Sequence, residues 1–239
     1  MNLSSNNTTR DSRAEEWPPR VLHRRNFLRF AGASAAAATL LVTAACKKDD
    51  DPATTPAGNA AVNLGTGDIG ILNYAYALEQ LEAAFYNQVI QTPYSGITDS
   101  EKALLTDIRD HEVAHREFFK AALGTMAITG LTPDFTSINF ADRTSVLGAA
   151  KAFEDLGVSA YNGAGKLIKD AGYLTLAGKI VSVEARHAAY IRNLISNGTF
   201  ANSEVIDANG LEIHKDPAAV LAIAQKYVKN TIDAAGLPK

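Results

Sequence analysis

A single cysteine, Cys46, in 239 residues leaves no partner for a disulfide within the chain. An excess of positive charge is missing too. With the 6 Lys/Arg and 3 Asp/Glu of residues 1–45 set aside from totals of 23 and 26, 17 basic residues face 23 acidic ones. The resulting net charge of −6 excludes a nucleic-acid partner, whose phosphates demand the opposite sign. Nor is there a long, strongly apolar run. Phe30 to Ala45 is Ala-rich and too short to cross a bilayer. From Cys46 onward, about 190 residues remain, enough for one domain with a sizeable core.

What is present begins with a leader. Arg24-Arg25-Asn26-Phe27-Leu28-Arg29 resembles the twin-arginine export motif, with His23 where Ser or Thr is usual. The apolar run follows, and Thr43-Ala44-Ala45-Cys46 resembles a lipoprotein cleavage box. This order implies removal of residues 1–45, lipidation of Cys46, and a periplasmic or cell-surface protein held to a membrane by that anchor. Residues 46–67 are charged and then rich in Pro, Gly, Ala and Thr, and read as a flexible tether.

Four long helical patterns fill residues 68–198. The first runs from about Asp68 to Gln91 and is stopped by Pro93 and Gly96. The second opens at Thr98-x-x-Glu101, a capping-box pattern, and continues to about Leu123. Gly124 to Ala141 shows no helical period and is long for a loop, as a connection running the whole length of a bundle must be. The third helix is expected at about Asp142–Lys169 and the fourth at about Tyr173–Asn197, closed by Gly198. The fold class is all-α: a four-helix bundle with a long crossover between helices 2 and 3. Residues 199–239 form a C-terminal extension with one helix, opened by Asp216-Pro217.

Ionisable residues break the apolar stripes of these helices at particular places. Glu112 and His115 fall among Leu104, Ile108 and Phe119, and Glu184 and His187 fall among Ile180, Ile191 and Leu194. Glu and His three residues apart share a helix face, so a carboxylate and an imidazole can reach one ion. With 11 Glu and 5 His, chance predicts roughly 0.2 Glu-x-x-His matches, yet two occur and both point inward. Buried carboxylates need a compensating charge. Helices 1 and 3 should add one carboxylate each, Glu154 on helix 3 and Glu79 or Glu82 on helix 1, while Asp155 points elsewhere.

Hydrophobic phase slightly favours Glu82, but height favours Glu79. At ~1.5 Å per residue Glu79 lies ~18 Å before the first turn and Glu112 ~21 Å after it. The spacing Glu79 to Tyr86 also repeats as Glu154 to Tyr161, with Gly157 in the place of Glu82. Glu79 is therefore expected to bridge, with Glu82 as an extra ligand. Four Glu would balance two divalent cations, with His115 and His187 completing the coordination. Oxygen and nitrogen donors suit iron or manganese rather than copper or a cluster. Tyr86 and Tyr161 have two readings: redox or ligand-bonding tyrosines, or amphipathic core residues.

The pattern from Asp68 to Asn197 resembles the ferritin, bacterioferritin and rubrerythrin superfamily. Leu72-Asn73-Tyr74-Ala75-Tyr76-Ala77-Leu78-Glu79-Gln80-Leu81-Glu82 with Tyr86 is similar to its bacterial ferritin-like branch that includes desiccation-related proteins. The resemblance implies two bound metal ions, iron ahead of manganese, and oxidation of ferrous iron or consumption of oxygen or peroxide in stress protection. Relatives often carry an Asp immediately before each Glu-x-x-His to orient the opposite His; here His111 and Val183 stand there. A homo-oligomer is compatible with the bundle, although the tether and C-terminal extension argue against a ferritin-type shell. Two other readings exist. The bundle can serve as the scaffold of a non-catalytic, lipid-anchored stress or binding protein. His111-Glu112-x-x-His115 also spells the zinc-protease helix motif, but a third ligand at the usual spacing is missing and Glu184-x-x-His187 is left unexplained. Outside that motif, His111 reads as a partly exposed histidine or one bonded behind a ligand.

Overall fold

The computed structural model describes residues 61–239; the leader, Cys46 and residues 46–60 of the expected tether lie outside the described residues. Four long helices dominate: α1 (Gly67–Gln91), α2 (Asp99–Leu123), α3 (Arg143–Gly165) and α4 (Ala171–Ile195). A short helix, α5 (Pro217–Ala224), follows, and two-residue strands β1 (Val62–Asn63) and β2 (Ile232–Asp233) pair in parallel. Among the described residues no helix is long and apolar enough to cross a membrane.

Three of the four long helices, α2, α3 and α4, begin where the sequence supplies a side-chain acceptor for free N–H groups. Thr98 accepts from the Glu101 amide, Asp142 from Ser145 and Asp170 from Tyr173. The break between the third and fourth helices comes earlier and is longer than the pattern suggested: α3 stops at Gly165 and α4 begins at Ala171. Asp68 helps hold this connection out of the helix, because its carboxylate accepts the Lys169 and Asp170 amides at 2.9 and 2.8 Å and ties that turn to the start of α1.

α1 and α2 pack as one hairpin and α3 and α4 as another, with α1 against α3 between them. Tyr86 reaches Glu154 while Tyr161 reaches Glu79, so α1 and α3 run antiparallel. These two are buried over most of their length, whereas α2 and α4 bury a stripe. The crossover runs from Met126 beside the start of α1 to Ala141 beside its end. Asn73 accepts the Ile128 amide at 2.9 Å and donates to the Met126 carbonyl at 2.9 Å; Gln80 accepts the Leu131 amide at 2.8 Å. Phe135 and Phe140 then pack on Phe85, with ring centroids 5.9 and 5.8 Å away.

Residues 61–66 depart from the expected tether. Val62 and Asn63 hydrogen-bond with the C-terminal strand, and Leu64 is fully buried in the core. The cause is the C-terminal extension, whose far end supplies the edge that β1 joins. On its way there the extension crosses α3 so closely that the Lys215 amide donates to the Ser159 carbonyl at 2.9 Å. A Cβ on Gly163 would stand 1.8 Å from the Lys215 carbonyl oxygen. Gly163→Ala is therefore expected to displace this segment, costing about 2 kcal/mol. A fall of several degrees in the thermal midpoint, with the helical circular dichroism of the folded state unchanged, is the measurement that checks it.

Candidate metal centre

The carboxylates and histidines picked out by spacing occupy one layer of the bundle. Ile108, Phe153 and Ile191 close it on one side, and Phe119, Tyr161 and Ile180 on the other. Glu79, Glu112, Glu154 and Glu184 are all fully buried there. Their donor atoms form two overlapping groups, Glu79, Glu112, His115 and Glu184 in one and Glu112, Glu154, Glu184 and His187 in the other, with all atoms of a group within 4.8 Å of one another.

The carboxylates common to both groups are Glu112 and Glu184, whereas Glu79, expected to bridge, belongs to one group. Glu79 and Glu154 are the outer carboxylates, one per group. Helix geometry gives the reason: a step of three residues turns ~300°, so each motif His lies ~60° to one side of its Glu. The two Glu then fall on the midline between the hairpins and the two His on its flanks. Accordingly each imidazole comes nearest the opposite helix's Glu. His115 Nδ1 is 2.8 Å from Glu184 and 3.9 Å from Glu112; His187 Nδ1 is 2.8 Å from Glu112 and 3.6 Å from Glu184.

Glu82 stands outside both groups. It is buried, and its Oε1 lies 3.0 Å from where a Cβ on Gly157 would be, so it leans into the room that glycine leaves on α3. Burial and the negative charges of Glu112, Glu184, Glu154 and Glu79 push its carboxyl well above the usual range in the metal-free cluster. Tyr86 and Tyr161 resolve toward ligand-bonding: Tyr86 donates to Glu154 Oε1 at 2.5 Å and Tyr161 to Glu79 Oε1. Each outer carboxylate is thus oriented by a tyrosine of the facing helix.

Whether these groups suit a metal is decided by where their atoms point. Both oxygens of Glu112 and of Glu184, Oε2 of Glu79 and Glu154, and Nδ1 of both histidines are buried without a hydrogen-bond partner. Nδ1 and carboxylate lie 2.8 Å apart in two places, yet the ring N–H is not directed at the oxygen. The donors converge on points among themselves rather than on each other. Such a set of buried orphans is costly alone and fits a cation coordinated by oxygen and nitrogen. A family model described as ferritin-like domain matches residues 67–197. The chain belongs to the ferritin-like domain family. A search of curated proteins finds no match.

In this ferritin-like chain the departure at His111 is an alternative orienting contact. His111 Nδ1 lies 2.9 Å from His187 Nε2, the two rings 9° from coplanar, so His111 holds the opposite His where relatives use Asp. It belongs to neither donor group, and the pairing of His111 with His115 that a zinc-protease helix needs does not form. The signal for its role was its place immediately before Glu112. Val183, the matching position on α4, gives His115 no such partner.

The protonation of the metal-free cluster yields a prediction. Burial lowers both imidazoles but is outweighed by the carboxylates, which push His115 up to about 10 and His187 up to about 12. Burial raises Glu112 well above its usual range and Glu154 to about 7, while Glu184, despite burial, is lowered by the two histidines. At neutral pH both Nδ1 atoms therefore carry protons that a metal must displace. Affinity should rise with pH between 6 and 8, about tenfold per unit for each proton released. Calorimetry in buffers of different ionisation enthalpy should find roughly two or more protons released per pair of ions. Binding that is independent of pH in this range would contradict the assignment of both histidines as ligands.

Proposed function

We propose that the chain is an exported, membrane-anchored di-metal protein that oxidises ferrous iron with peroxide or oxygen as protection against oxidative stress. The single observation that carries the reading is the pair of donor groups sharing Glu112 and Glu184, with every donor buried and unpaired. Two ions bound side by side supply two one-electron oxidations to one two-electron acceptor. With peroxide the reaction balances as two Fe2+, one H2O2 and two H+ giving two Fe3+ and two H2O. Glu112 and Glu184 would contribute to holding both ions, Glu79 with His115 would complete one half, and Glu154 with His187 the other. Tyr86 and Tyr161 fix the outer carboxylates, and their hydroxyls keep their protons because burial and the adjacent carboxylates raise them far above 10.

The leader supports the rest of the reading. Twin Arg, apolar run and Thr43-Ala44-Ala45-Cys46 place the work outside the cytoplasm, and an anchor on Cys46 would hold the bundle at a membrane. Iron is favoured over manganese by the resemblance, the donor set being suitable for either. The test is peroxide-dependent oxidation of added ferrous iron, followed by ferric absorbance, with elemental analysis of protein exported by its own leader. Two ions per chain and rapid oxidation are expected. Well under one ion per chain after reconstitution with iron or manganese would leave the bundle as a scaffold and end this reading.

A further inference from the structure

We propose that the two halves of the centre are unequal and load in order: the Glu154–His187 half holds a resident ion, and the Glu79–His115 half holds an exchangeable one, with His111 as the positioning residue that makes the difference. The inference rests on the di-metal reading above and goes on to divide it.

The donor sets of the two halves are matched almost atom for atom. Each has one outer Glu fixed by a tyrosine of the facing helix, the same two shared Glu, and one imidazole whose Nδ1 is 2.8 Å from a shared carboxylate and 3.5 Å from its outer one. The halves part at the far nitrogen of each ring. His187 Nε2 is bonded to His111, and with Nδ1 turned to the metal, Nε2 carries the hydrogen and His111 Nδ1 accepts it. That bond fixes the ring's rotation and leaves Nδ1 as the free donor. On the other side the Val183 side chain has no polar atom to offer, so among the described residues no equivalent bond restrains the rotation of His115. Exposure follows the same division: the His115 side chain is 15% exposed and that of His187 6%. A ligand that is unrestrained and solvent-facing releases its ion more readily than one pinned and buried. The ion in the Glu79–His115 half is accordingly the one that exchanges with the surroundings, as an oxidised product must.

Titration of the metal-free protein with Co2+, whose visible absorption reports coordination, tests this. Two binding steps separated by at least about tenfold are expected for the wild type. His111→Ala should weaken the tighter step about 10- to 100-fold and leave the weaker one in place, so that the steps merge. His111→Asp, which keeps an acceptor for Nε2–H, should preserve the separation. Val183→Asp should strengthen the weaker step, a gain that misfolding cannot produce. Nitrogen-15 spectra of the histidine rings provide a second readout: the His187 signals should change in His111→Ala and those of His115 should not. Two equal steps in the wild type, or equal weakening of both steps in His111→Ala, would overturn the ordered loading alone. Absence of any Co2+ binding by the wild type would remove the di-metal reading together with it.

Discussion

Replacing Glu112 by Ala is expected to abolish metal binding in both halves of the centre, whereas Glu154→Ala should abolish it in one. Glu112 belongs to both donor groups and Glu154 to a single one, so the contrast follows from connectivity rather than from charge, which the two variants change equally. Loss of a shared anionic ligand should cost on the order of 1,000-fold in affinity, beyond the ~10–100-fold that a contact behind a ligand is worth. Iron oxidation should fall by at least ~100-fold in Glu112→Ala, because two ions no longer sit together. Glu112→Gln separates site from fold. It keeps the side chain's shape and replaces a carboxyl that burial and its carboxylate neighbours already push toward the neutral form, so the metal-free protein should unfold near the wild-type midpoint. Elemental analysis would settle the matter: two ions bound by Glu112→Ala, or none by Glu154→Ala, would refute the shared-carboxylate arrangement.

The helices and the members of the centre were legible because local rules govern them. An i, i+3 pair inside an apolar stripe must face the core, and the repeated seven-residue step from Glu to Tyr on α1 and α3 matched two lone carboxylates to one another. What was not legible depends on rotation about the bundle axis or on partners far along the chain. Height along a hairpin placed Glu79 level with Glu112, but height says nothing about which carboxylates two donor groups have in common, and those are Glu112 and Glu184. Glu82 had the better hydrophobic phase, yet the glycine opposite it gives its carboxyl somewhere else to go. Pro and Gly composition read residues 46–67 as tether, while the strand that captures residues 62–63 lies 170 residues on. His111 looked like one end of a zinc motif with His115, and its partner proved to be on α4, 76 residues away.

Asp155 is the reverse case, a neighbour of a ligand that was expected to point elsewhere and does so with a large effect. It faces Arg192 of α4, which is 2% exposed and receives it through two bonds, Nε to Oδ1 at 2.9 Å and Nη2 to Oδ2 at 3.0 Å. Nη2 also reaches Glu204 at 2.8 Å and Nη1 reaches Asn202 at 3.0 Å, so one guanidinium ties α3, α4 and the start of the C-terminal extension. Arg192→Ala is expected to destabilise the protein by about 2 kcal/mol, since it removes a buried guanidinium and its hydrogen bonds to α3 and the extension, while the carboxylates left behind reach solvent and rehydrate. For a domain of this size that is a fall of roughly 4–8 °C in the thermal midpoint. Arg192→Lys should recover little, because an ammonium cannot span both oxygens of Asp155. Asp155→Asn combined with Arg192→Met should cost less than Arg192→Ala alone, a non-additivity that denaturant unfolding of the single and double variants measures. The consequence reaches the metal centre. Successive side chains on a helix stand ~100° apart, so while Asp155 is fixed outward on Arg192, Glu154 is fixed inward. Folded Arg192→Ala protein should therefore lose affinity in the Glu154–His187 half more than in the Glu79–His115 half. A variant within about 1 kcal/mol of wild type, with both halves unchanged, would show that the guanidinium fixes neither the fold nor the ligand.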